Sequence, residues 1–82
     1  MTGSAAGLRK RSVMIAGHRT SVSLEDPFWE ALQRLARARG LSVPALIGRI
    51  DAGRAGQNLS SAIRVFVLRA LQEEAGGPEA PT

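Results

Sequence analysis

The sequence predicts a mainly α-helical fold with one short β-strand per chain, completed by a second copy of the same chain. Three observations lead there. Residues Arg19-Thr20-Ser21-Val22-Ser23-Leu24 alternate, with Thr20, Val22 and Leu24 on one side of an extended strand and Arg19, Ser21 and Ser23 on the other. Two helical patterns follow at once, separated by Gly40. The chain has 82 residues and no cysteine, and with polar ends it leaves roughly 60 residues for a core, a size at which a monomer is marginal. A lone strand leaves its backbone donors and acceptors unpaired, so pairing with a second copy is the simplest remedy.

Each element has its own signals. Residues 12–15 alternate Ser12-Val13-Met14-Ile15, compatible with a short strand. Ala16-Gly17-His18 is then either a turn folding it back on residues 19–24 or a bend within one long strand. The first helix opens with Asp26 placed as N-cap and Pro27 at the first helical position, where its missing N–H costs nothing. Phe28, Leu32, Leu35 and Ala36 repeat at helical spacing, and Gly40 is the natural C′ residue. Trp29, beside that stripe, reads as a core or interface residue. The second helix starts at the N-cap Ser42, with Val43 and Pro44 in its first turn and a stripe of Val43, Leu46, Ile47 and Ile50. After the glycine-rich loop 53–57, Asn58 or Ser60 can cap a third helix. Its stripe of Leu59, Ile63, Phe66, Val67, Ala70 and Leu71 is widened by Val65 and Leu68, which suggests burial on two sides. The expected division is a basic arm at 1–9, a domain at 10–72, and an acidic, Pro/Gly-containing tail at 73–82.

Composition narrows the function. The net charge is +4, and residues 1–24 hold Arg9, Lys10, Arg11 and Arg19 with no acid, a distribution that attracts polyanions, nucleic acid first. Arg9, Lys10 and Arg11 are candidate phosphate contacts. No apolar run approaches the length of a membrane span, and no secretion signal is present, so a cytoplasmic protein is expected. A single histidine, His18, and the absence of cysteine give no metal constellation, and no cofactor is expected. No phosphate loop and no nucleophile beside a base are found, and Ser42, Ser60 and Ser61 read as helix caps; no enzyme is expected.

The order strand, helix, glycine, cap, helix resembles the ribbon-helix-helix DNA-binding family. The resemblance rests on Thr20-Ser21-Val22-Ser23-Leu24, on Phe28 to Arg39, and on Gly40-Leu41-Ser42-Val43-Pro44-Ala45-Leu46-Ile47. The wider string from Lys10 through Glu25 to the third helix is similar to a bacterial subfamily of short proteins with this domain. The resemblance implies an intertwined homodimer whose two-stranded antiparallel ribbon takes one strand from each chain, with an additional C-terminal helix. It implies base reading in the major groove by Arg19, Ser21 and Ser23, and a phosphate anchor at Ser42 and Val43. Val22, Leu24, Phe28, Leu32, Leu35, Leu46, Ile47 and Ile50 would form the dimer core. The function implied is that of a nucleoid-associated transcriptional regulator, such as a repressor, whose partners are duplex DNA and itself.

Two other readings stand beside it. One is a helix-turn-helix over residues 42–71 that offers Ser60, Ser61, Arg64 and Arg69 to DNA, although residues 59–71 are very apolar for a helix in a wet groove. The other is a protein-interaction or antitoxin-like module that binds a partner through the third helix and binds no DNA.

Overall fold

The computed structural model describes residues 8–76. The elements run β1 (Leu8–Ile15), β2 (His18–Glu25), α1 (Asp26–Ala38), α2 (Val43–Gly53) and α3 (Leu59–Gly76). The expectations for an arm at residues 1–7 and a tail at residues 77–82 lie outside the described residues. Within them, the strand starts at Leu8 and the last helix continues through Glu73 and Glu74.

One expectation is corrected. The chain supplies two strands, not one, and the two-stranded antiparallel ribbon forms within a single copy. Ala16 and Gly17 make this possible: both have positive φ (51° and 83°), as a two-residue hairpin turn with the right twist requires. The turn sets Ile15 opposite His18, and the register then runs Val13 to Thr20, Arg11 to Val22 and Arg9 to Leu24. The alternation at residues 12–15 was therefore half of a hairpin, and the backbone pairing that a lone strand lacked comes from the same chain.

Hydrophobic alternation then decides which face is buried. Val13 and Ile15 from β1 and Val22 and Leu24 from β2 point onto the helices and are buried. Leu32, Leu35, Leu46, Ile47, Ile63 and Val67 complete the core from the three helices. Of the residues expected in a dimer core, Val22, Leu24, Leu32, Leu35, Leu46 and Ile47 are thus buried by their own chain. Phe28 and Ile50 pack half-buried against the same cluster. α2 comes so close to β1 that a Cβ at Gly48 would stand 3.4 Å from Ile15 Cγ2.

The helix ends show where local chemistry wins. α1 begins one residue earlier than expected: Glu25 is its N-cap without a side-chain cap bond, and Asp26 lies inside the first turn. The Asp26 carboxylate accepts instead from Arg11, whose Nη2 donates to Oδ1 at 2.9 Å. At the other end Gly40 N–H donates to Arg37 O (3.1 Å) and Leu41 N–H to Ala36 O (2.9 Å), a Schellman closure that needs the positive φ of Gly40. Ser42 caps α2 by accepting from Ala45 N–H at 3.2 Å, and Asn58 caps α3 by accepting from Ser61 N–H at 3.2 Å.

Ile47 is fully buried, so Ile47→Ala should lower the unfolding free energy by about 2–5 kcal/mol in urea denaturation followed by circular dichroism. Ala16 is a non-glycine residue in the left-handed region, where asparagine is better tolerated. Ala16→Asn should therefore stabilise the chain by about 0.5–1 kcal/mol in the same assay.

Candidate nucleic-acid interface

Burial of one hairpin face leaves the other outside. Its cross-strand pairs are Met14 with Arg19, Ser12 with Ser21, and Lys10 with Ser23. Arg19, Ser21, Lys10, Ser12 and Met14 are exposed, and Ser23 is half-buried. The three residues expected on the reading face therefore share one side of β2, next to three from β1. Lys10 belongs to this face and stands across from Ser23. The period-two pattern Lys10-Ser12-Met14 was the available signal for the β1 half, but it acquires meaning only when the turn makes the two strands neighbours. Neither Lys10 nor Arg19 has an acidic partner within ion-pair distance among the described residues.

Arg9 and Arg11 fall on the opposite side of β1. Arg11 is half-buried: it pairs with Asp26 at 2.9 Å and its guanidinium lies 4.5 Å from the Trp29 ring centroid. A cation over an indole face is attracted to it, and the stack pins β1 to α1. Arg11 Nε is buried without a partner, a local cost of this arrangement. Arg9 is mostly exposed and approaches the same carboxylate at 3.7 Å. The basic triplet is thus divided, with Lys10 on the outer face and two arginines leaning on Asp26. Trp29 carries a side chain of its own chain.

The N-terminus of α2 offers less than its position promises. Pro44 has no N–H, and the Ala45 amide is taken by Ser42 Oγ. Of these first-turn amides, that leaves the one on Val43, which is half-buried beside exposed Ser42.

A second attachment of the hairpin was not legible in the sequence. Ser23 N–H donates to Ser60 Oγ at 3.0 Å, Arg64 Nη2 to Ser23 O at 3.4 Å, and Arg64 Nε to Glu25 Oε1 at 3.2 Å. α3 thus grips the end of β2 from the side. Two of the four residues that a helix-turn-helix would offer to DNA, Ser60 and Arg64, are turned onto the hairpin. Glu25 has its pKa held below the ordinary 4.5, chiefly by a hydrogen bond from its own backbone N–H; desolvation opposes this, and the hydrogen bond and charge of Arg64 add to the lowering.

A protein-family model for the ribbon-helix-helix domain matches residues 8–71. The chain belongs to the ribbon-helix-helix family. The family consists mostly of DNA-binding transcription regulators and not of enzymes. Among solved structures, the chain is similar to an uncharacterized protein from Bordetella pertussis Tohama I, with 34% identity and a TM-score of 0.66. The match covers 89% of this chain and 64% of that one, so this chain spans less than two thirds of its relative's length. No curated protein matches. No helix among the described residues is long and apolar enough to cross a membrane.

A carboxylate with a lowered pKa stabilises the fold fully above its unfolded value, and that contribution is lost as pH falls through the folded value. Acid unfolding should therefore include a component from Glu25 that appears below about pH 4.5. In Glu25→Gln the unfolding midpoint should depend less on pH in that range, while the variants' slopes coincide near neutral pH.

Proposed function

We propose that the protein is a homodimeric, sequence-specific DNA-binding transcriptional regulator, a repressor acting at the nucleoid in a bacterial cytoplasm. The observation that carries this reading is the outer face of the hairpin, where Lys10 and Arg19 stand exposed among Ser12, Ser21 and Ser23 with no carboxylate within ion-pair distance among the described residues. A two-stranded ribbon fits the major groove. Arg19 is suited to the O6 and N7 acceptors of guanine, the serine hydroxyls to either donors or acceptors, and Met14 to a thymine methyl group. Lys10 and Arg9 supply phosphate contacts, and the Val43 amide beside Ser42 supplies one donor at a helix N-terminus. Arg11 contributes by holding β1 in place.

A second reading, a protein-docking module without DNA, draws on Val65 and Leu68, which remain exposed on the outer side of α3. Salt separates the two. Affinity from phosphate neutralisation falls steeply as salt rises, whereas apolar docking does not.

Selection of bound duplexes from a random pool at two salt concentrations tests the proposal. Enrichment of a two-fold symmetric site is expected, and affinity that ignores both sequence and salt would refute it. On the selected site, Arg19→Ala should cost about 1–3 kcal/mol and relax the preference at one base position. Lys10→Ala should weaken binding to all sequences alike and reduce the logarithmic salt slope by about one.

A further inference from the structure

The hairpin is attached differently at its two ends. Away from the turn, Arg11 holds Asp26, and Ser60 and Arg64 hold Ser23 and Glu25. At the turn, among the described residues, no hydrogen bond or ion pair joins residues 15–20 to the helices. A cleft of about 230 Å³ lies there instead, between the turn and the junction of α2 with α3. Ile15, His18 and Arg19 line it from the hairpin, and Asp51, Arg54 and Leu59 line it from the junction.

Size and charge together narrow what the cleft can hold. Drug-sized ligands occupy pockets of roughly 300–1,000 Å³, so this one suits a smaller molecule. Its permanent charges are Arg19 and Arg54 against Asp51, which leaves one positive charge in surplus. Arg54 is already placed, because its Nε donates to Asp51 Oδ1 at 2.6 Å and its Nη1 to Gln57 O at 2.7 Å. Its Nη2 then has no protein acceptor among the described residues. A guanidinium held by its neighbours loses little further freedom on binding an anion. Arg19 has no carboxylate within ion-pair distance among the described residues. A dianion would set an unmatched charge beside Asp51, whereas one carboxylate matches the surplus and offers arginine two acceptor oxygens. An apolar molecule would cover the guanidinium groups without satisfying them. Ile15 and Leu59 supply an apolar wall for the rest of the ligand.

We propose that this cleft binds a compact monocarboxylate with an apolar body, its carboxylate between Arg19 and Arg54 and its body against Ile15 and Leu59. Arg19 belongs both to the cleft and to the outer face of the hairpin. The bound carboxylate holds Arg19 at the cleft and so withdraws from the outer face the side chain suited to guanine. Acid and duplex then compete for one arginine, and by linkage each lowers the affinity for the other. The binding stands on the cleft alone. The competition deepens the proposed function, by naming a regulation of the same face, and rests on that reading.

Benzoate, a small ring bearing one carboxylate, is the probe, titrated into the full chain and followed by NMR at constant ionic strength. Saturable shifts are expected at the His18 ring, the Ile15 and Leu59 methyl groups and the Arg54 Nε–H, and none at Trp29, the single tryptophan. Neutral benzamide, and acetate, which lacks the ring, should each bind at least tenfold more weakly. Arg19 is exposed, so Arg19→Gln leaves the fold intact; it should weaken benzoate roughly tenfold or more by removing a charge-assisted contact. Arg19→Lys, which keeps the charge, should recover part of that loss. On the selected duplex, saturating benzoate should lower the affinity of the wild-type chain and leave that of Arg19→Gln unchanged. Shifts that do not saturate, or benzamide binding as well as benzoate, would overturn the site. Tighter binding of dimethyl phosphate than of benzoate would make the cleft a seat for the DNA backbone, and would overturn it too. Saturable benzoate binding with undiminished DNA affinity would overturn the competition alone. A chain that bound no duplex would sink the DNA reading, while the benzoate titration would still decide the cleft.

Discussion

Strand register is the constraint on which the rest of the molecule depends. Side chains alternate between faces with a period of two, so a slip of one residue would exchange the two faces completely. It would drive Lys10 and Arg19 into the helices and expose Val22 and Leu24. Two features forbid the slip. The Ala16-Gly17 turn fixes Ile15 against His18, and four apolar residues from the two strands must reach the same core. The outer face is polar because the inner face cannot be.

Register alone would leave the hairpin free to rock on the helices, and two polar clamps prevent that. On the β1 side, Arg11 is held between the Asp26 carboxylate and the Trp29 ring. On the β2 side, Ser60 and Arg64 hold Ser23 and Glu25. The partly exposed ion pairs contribute modest energy by themselves. Their larger effect is geometric, because each bridges residues distant in sequence and fixes how a strand sits relative to a helix. The third helix is therefore part of the support for the outer face. Its Ser60 serves that purpose, and Asn58 serves as its cap.

The sequence made the helices legible because each carries its evidence locally. Pro27, Gly40, Ser42 and Asn58 mark ends through backbone chemistry that acts within a few residues, and the apolar stripes follow from helical periodicity. The sides of β2 were legible for the same reason. The first strand is not decided locally, because a hairpin and a bend share the sequence Ala16-Gly17-His18, and alanine is an uncommon occupant of a left-handed position. The clamps were not legible, since nothing local marks Arg64 as a partner of Glu25, 39 positions away. Asp26 reads as an N-cap from its place before Pro27, and that local role says nothing of its pairing with Arg11.

These pairings also change what the net charge means. A total of +4 describes the chain but not its surface, because cations and acids are unevenly matched. Arg11, Arg54 and Arg64 each lie within 3.2 Å of a carboxylate, and Arg39 lies over the Phe66 ring. The charges of Arg11, Arg54 and Arg64 are largely offset where they stand. Lys10 and Arg19 carry fewer charges than the basic N-terminal stretch suggested, but theirs are not offset, and they sit on the face that register keeps outside. For a polyanion approaching through salt water, screening removes contributions beyond about 8–10 Å, so local and unpaired charge matters more than the total. The hairpin's outer face is where unpaired positive charge, hydroxyl groups and an exposed strand surface coincide, and the proposed duplex contact rests on that coincidence.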